Sequence, residues 1–281
     1  MSDSSSSELV ARLVTAAVGI PILLYLIFWA PKWGFYALVA AAGGVGVWEY
    51  CTMTYGETHR PGKIASILAC EGVLATLFFA PSYVFEALLG AALLITVFFL
   101  FAFRDKKEVS RQIAFSLTAL VNLGAFFGVL LLLHNHTHGS FWVLITLVTV
   151  WSSDTGAYFT GRAVGVHPLY EAVSPNKTIE GSLGGLLAAF VGAYACNLAF
   201  ASLSSWETLS IGTLAMIAVP AAVLGQIGDL AMSIVKRAHE VKDSGSILYG
   251  HGGLLDRIDG LIFAAPWFYV CVIRILPHIH A

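Results

Sequence analysis

Apolar residues run through this chain in long blocks separated by short polar gaps. A helix needs roughly 20 apolar residues to cross the hydrocarbon core of a bilayer, and about nine stretches meet that length. They lie near 13–30, 33–53, 64–80, 84–103, 113–133, 141–161, 181–203, 208–233 and 257–276, the third short and the eighth long. The pattern predicts an all-α integral membrane protein, with about five spans over residues 1–140 and a second region over 141–281. The longest polar stretches, Arg162 to Glu180 and Lys236 to Arg257, fall in that second region. Chemistry on a water-soluble substrate is expected in those two loops.

Composition agrees with lipid as the main solvent: of 281 residues, 58% are hydrophobic and only 11% charged. A net charge of -2 gives no electrostatic support to a nucleic-acid partner. The placement of the charges is more informative than their sum. With nine spans, 13 of the 15 Lys and Arg residues fall on the side of the N-terminus, and only Lys32 and Arg274 fall opposite. Basic residues accumulate in cytoplasmic loops, so the N-terminus is expected in the cytoplasm and the C-terminus outside. The opening MSDSSSSE lacks the basic flank of a secretory signal, and the first apolar block reads as an uncleaved span. Cys51, Cys70, Cys196 and Cys271 sit in apolar stretches without metal spacing and read as packing residues. The run HNHTH, His134 to His138, falls on the external side and reads as an incidental polar turn.

The eighth stretch ends in an unusual density of charge, GQIGDLAMSIVKRAHEVKDSGSILYGHGGLLDRIDG, Gly225 to Gly260. An intramembrane carboxylate such as Asp229 is costly enough to suggest function. On a helix, Ser233 and Lys236 follow Asp229 on one face, and Arg237 is next to them. Lys242, Asp243, His251, Gly252 and Gly253 come next, and Asp256, Arg257 and Asp259 open the last span. Paired glycines at a helix start let backbone amides approach an anion. Carboxylates with Lys and Arg at one membrane depth suit phosphoryl or nucleotidyl transfer, in which Mg²⁺ bridges phosphate oxygens and cations offset charge on a leaving pyrophosphate. A second cluster offers Asp154 in WSSDTGAYFTGR, then Ser174, Lys177 and Thr178 in SPNKTIEGSLGG. Ser174 before Pro175 reads as a helix start and Thr178 as a cap, while Lys177 would suit a triphosphate. Glu49 and Glu71 also fall within spans, without a neighbouring cation, and are expected between helices or near an interface.

The stretch Ser233 to Asp259, S-x-x-K-R-x4-K-D followed by H-G-G-x-x-D-R-x-D, resembles the signature of the phosphatidate cytidylyltransferase family. GDL at Gly228 to Leu230, SPNKTIEG and DTGAYFTGR resemble family segments in the same order, and the likeness covers roughly Trp151 to Ile275. Tyr249 and Met232 depart from the pattern, which favours proline or glycine at the first and often glutamate at the second.

The resemblance implies an enzyme of phospholipid biosynthesis in the cell inner membrane, its site facing the cytoplasm, that condenses CTP with phosphatidic acid to CDP-diacylglycerol and pyrophosphate. It implies Mg²⁺ as cofactor, as two metal ions, with Mn²⁺ as an alternative. Asp229 and Asp256 are then the expected metal ligands, with Asp259 and Asp154 as further candidates. Lys236, Arg237, Lys242 and Arg257 would clamp phosphates, with Asp229, Asp256, Lys236 and Arg257 forming the catalytic set. Ser174, Lys177, Thr178, Ser233, Asp243, His251, Gly252 and Gly253 would contact substrate. Expected partners are CTP, phosphatidic acid and membrane lipids, with a homodimer left open. The competing readings are a CTP-dependent polyprenol or phytol kinase and an ion-coupled transporter, although no inverted repeat supports the latter.

Overall fold

The computed structural model describes residues 17–56, 59–102, 105–203, 206, 208–245, 247 and 252–276. Tyr249 and His251, and Arg12 and Arg104 among the 13 basic residues assigned to the side of the N-terminus, lie outside the described residues. Helices dominate: α1 (Ala17–Phe28), α2 (Lys32–Tyr55), α3 (Arg60–Phe79), α4 (Val84–Ala102), α5 (Lys106–Ala119), α6 (Val129–Asn135) and α7 (Gly139–Val164). A two-stranded hairpin follows, β1 (Pro168–Tyr170) and β2 (Ser174–Thr178), and then α8 (Ile179–Leu203), α9 (Ile211–Ala238) and α10 (Leu255–Val270). Among the described residues, six helical stretches are long and apolar enough to cross a membrane, so the chain is a multi-pass membrane protein. They are Arg60–Phe79, Pro81–Ala102, Lys106–Asn135, Ile179–Leu203, Ile211–Ala238 and Leu255–Ile275.

Local chemistry sets several boundaries. Gly56 ends α2 with a positive φ of 75°, which glycine adopts without steric cost. Asp105 starts α5 by accepting from the amides of Lys107 (2.6 Å) and Glu108 (3.3 Å).

The chain divides into two compact units, Met1–Leu132 with His239–Arg257, and Leu133–Ala238 with Ile258–Ala281. In the first, α2, α3, α4 and α5 pack each on the next, and α2 also meets α5, which closes a four-helix ring. Val47, Cys51, Cys70, Val73, Leu74 and Leu123 fill its interior. Near one end, the Tyr55 hydroxyl lies 2.5 Å from Ser116 Oγ and 3.3 Å from Ser66 Oγ. Lys63, only 1% exposed, donates to Thr52 Oγ1 (2.8 Å) and lies over the Trp48 ring.

In the second unit, α7 packs along α8, and both touch α9. Gly181 makes the approach of α7 and α8 feasible, because a Cβ there would stand 2.9 Å from the Ala157 carbonyl and 3.1 Å from Gly161 Cα. Buried Asn197 ties the turn before α9 to α8: it donates to the Leu209 carbonyl and accepts from the Leu209 amide and the Trp206 indole, each at 3.2 Å.

Ser174 is not a helix start, as the Ser-Pro pair suggested. It lies in β2, and antiparallel pairing with β1 takes the backbone groups that a helix would have used. Thr178 does cap α8, accepting the Gly181 amide at 3.1 Å.

Candidate active site

The second unit gathers charged residues from three elements around one cavity of about 600 Å³. Asp154, Tyr158 and Arg162 of α7, Ser174 and Lys177 of β2, and Asp229 of α9 line it. The hairpin carries Lys177 to Asp229, 52 residues away, where Nζ meets Oδ2 at 2.5 Å. The two side chains are 30% and 32% exposed, so the pair faces the cavity and not the packed interior. One turn on, Ser233 Oγ donates to Asp229 Oδ1 at 3.4 Å, the helical spacing the sequence implied.

Neutral polar groups brace this wall. Gln226, one turn before Asp229, accepts from Ser182 Oγ (2.5 Å) and donates to the Ser182 carbonyl (3.1 Å) and Ser153 Oγ (3.3 Å). It thereby joins α7, α8 and α9. Arg162 donates to the Tyr158 hydroxyl at 3.0 Å, one turn apart on α7. Glu180 fixes the entry to the hairpin, accepting from the amides of Val166 (3.0 Å) and His167 (3.2 Å) and meeting His167 Nδ1 at 2.6 Å.

Asp259 of α10 is only 8% exposed and accepts the Gly260 amide at 2.7 Å. It lies within electrostatic range of Asp229, Asp154 and Lys236. Gly228 lets α9 come this near, since a Cβ there would sit 2.7 Å from the Asp259 carbonyl oxygen. Met232 is buried in this unit, and an apolar side chain suits that position.

The first unit holds the other acidic centre. Asp256 Oδ2 accepts the Ser244 amide (2.8 Å), the Ser244 hydroxyl (3.0 Å) and the Gly253 amide (3.2 Å). The last of these ties Asp256, in the first turn of α10, back to the residue three before it. Glu49 of α2 accepts from the amides of Leu254 (3.1 Å) and Leu255 (2.8 Å), the first of α10. Gly252 has a φ of 77°, a left-handed conformation suited to glycine. Lys242, Asp243 and Arg257 are exposed, as is Arg237 at the end of α9, where Lys236 is half-buried.

Among the described residues, no three of His, Cys, Asp or Glu stand close enough to enclose a metal ion by themselves. Mg²⁺ seldom uses such a cage; it keeps several waters and shares one or two carboxylates with substrate phosphates. Asp259, with Asp229 and Asp154 in electrostatic range of it, and Asp229 with its Lys177 partner supply hard oxygens of the chemistry that Mg²⁺ shares with phosphates.

Residues 10–275 match the model of a family described as the cytidylyltransferase family. The chain is 32% identical to a phosphatidate cytidylyltransferase of Bacillus subtilis, over 92% of this chain and 95% of the relative. A phosphatidate cytidylyltransferase of Thermotoga maritima is 31% identical, over 96% of this chain and 97% of its own length. One of Staphylococcus saprophyticus is 37% identical over 58% of this chain and 60% of the relative.

Proposed function

The chain belongs to the cytidylyltransferase family, and from that premise we propose that it is a phosphatidate cytidylyltransferase. CTP and phosphatidic acid are its substrates, CDP-diacylglycerol and pyrophosphate its products. A phosphate oxygen of phosphatidate, anionic at neutral pH, attacks the α-phosphorus of CTP. The new P–O bond forms as the α–β bridge breaks, and pyrophosphate leaves with the electron pair. An ionised nucleophile needs no strong general base, so positioning and charge neutralisation are the main tasks left to the protein.

The observation that carries this reading is the Lys177–Asp229 pair at the cavity wall, which unites two separate polar segments of the sequence. Lys177 and Arg162 bind CTP phosphates, Ser174 and Thr178 give hydroxyl contacts, and Lys236 with Arg237 neutralises the phosphate groups. Lys242, Asp243, His251, Gly252 and Gly253, which precede α10 in the sequence, and Arg257 in its first turn contact the substrates. Mg²⁺, held by Asp229 and Asp259 with Asp154 near it, would supply positive charge to the phosphate oxygens; Asp256 is proposed as a metal ligand in its own right. Asp229 also orients the Lys177 ammonium, and Ser233 orients Asp229.

Purified protein in detergent with CTP and phosphatidic acid should release one pyrophosphate per CDP-lipid formed, and diacylglycerol or a prenol should not replace phosphatidate. Release of CDP without pyrophosphate would instead identify a lipid kinase.

Nine spans, a cytoplasmic N-terminus and a site on the cytoplasmic face of the cell membrane complete the proposal. It rests on the distribution of Lys and Arg and on helices in the three predicted positions beyond the six long apolar ones: α1, α2 and α7. In intact cells, a cysteine placed at Thr137 should react with an impermeant maleimide, and one placed at Lys107 should react only after lysis. Labelling in the reverse order would invert the topology.

A further inference from the structure

Glu49 is only 2% exposed, and its known partners in the first unit are hydrogen-bond donors of the loop and helix start that carry Asp256. Its Oε1 accepts the Leu254 amide and its Oε2 the Leu255 amide, two of the groups a helix leaves unsatisfied at its N-terminus. A carboxylate there also meets the positive end of the helix dipole, which offsets the cost of burying it. Oε2 lies 3.3 Å from Ser244 Oγ, which lies 3.0 Å from Asp256 Oδ2. One hydroxyl proton therefore serves two carboxylates, one from α2 and one from α10. The loop closes this tightly because it has no side chain at two points: a Cβ on Gly245 would stand 2.5 Å from Glu49 Oε1, and one on Gly253 2.7 Å from Oε2.

We propose that Glu49 is a positioning residue for Asp256, fixing where α10 begins and therefore the direction in which Asp256 and Arg257 point. Each residue of an α-helix turns by about 100°, so a start displaced by one residue would redirect both side chains. The inference rests on the cytidylyltransferase reading for its catalytic consequence, and on geometry alone for the clamp.

Glu49→Gln keeps the volume but removes the charge and sets an amide N–H against a backbone N–H. Hydrogen exchange of the 252–256 segment should accelerate at least ten-fold in Glu49→Gln, with exchange in α3 and α8 unchanged. In the same preparation, kcat per folded molecule should fall about 10- to 100-fold, and the Mg²⁺ concentration for half-maximal rate should rise. The KM for CTP should change less than three-fold. Ser244→Ala should give a smaller effect of the same form.

Unchanged exchange at 252–256 would overturn the clamp. Faster exchange with wild-type kcat and Mg²⁺ requirement, or a loss confined to the amount of folded protein, would overturn the positioning role. A wild-type protein that makes no CDP-lipid would instead remove the functional reading, while exchange still judges the clamp.

Discussion

Asp229→Asn lowers kcat for CDP-diacylglycerol formation about 10²- to 10³-fold, the usual scale for losing one preorganised electrostatic contact in an active site. Asparagine matches aspartate in size and can still accept one bond from Lys177, so the wall of the cavity should keep its shape. What disappears is the charge that holds the Lys177 ammonium and helps hold Mg²⁺. The Mg²⁺ requirement should therefore rise together with the fall in kcat. The pair is about one-third exposed, and such pairs contribute only ~0–1 kcal/mol to stability, so the melting temperature in detergent should stay close to wild type. A variant with wild-type kcat and metal requirement would remove Asp229 from the mechanism.

The second large effect is expected at Asp256. Its Oδ2 already accepts three bonds that hold Ser244 and Gly253 at the start of α10. Asp256→Asn keeps an acceptor oxygen, and weakening a cap of this kind costs about 0.5–2 kcal/mol. Because Asp256 is also proposed as a metal ligand, turnover per folded molecule should fall at least about 10²-fold, well beyond what the lost cap explains. Thermal melting and turnover measured on one preparation separate the two roles. A lower melting temperature with wild-type turnover would reduce Asp256 to a cap.

The membrane character and the helix positions were legible because a span is a local property: about 20 apolar residues announce themselves without knowledge of any partner. The cap at Thr178 was legible for the same reason. Ser174 misled because Ser-Pro is a common helix start, and only pairing with β1 makes it a strand. Gln226 carries no charge and so escaped a search for charge, although it joins three helices. Glu49, without a neighbouring cation in the sequence, is expected between helices or near an interface, and it does join α2 to the start of α10. Its partners among the described residues are two backbone amides and a hydroxyl, 195 to 206 residues away, and composition leaves no trace of them. Lys63 was counted with the basic residues that mark topology, yet it is buried, its position set by Thr52 and Trp48 on α2. Nothing in a linear reading signals that the described residues between 239 and 257 pack with the N-terminal helices.

The central claim is that the cytidylyl group, and not a terminal phosphate, passes to the lipid. Purified protein should be incubated with phosphatidic acid, Mg²⁺ and CTP carrying a radiolabel in either the α- or the γ-phosphate, and the lipid extracted. The account predicts α-label in a lipid that co-migrates with CDP-diacylglycerol and γ-label only in water-soluble pyrophosphate. Label from the γ-phosphate in the lipid would contradict it.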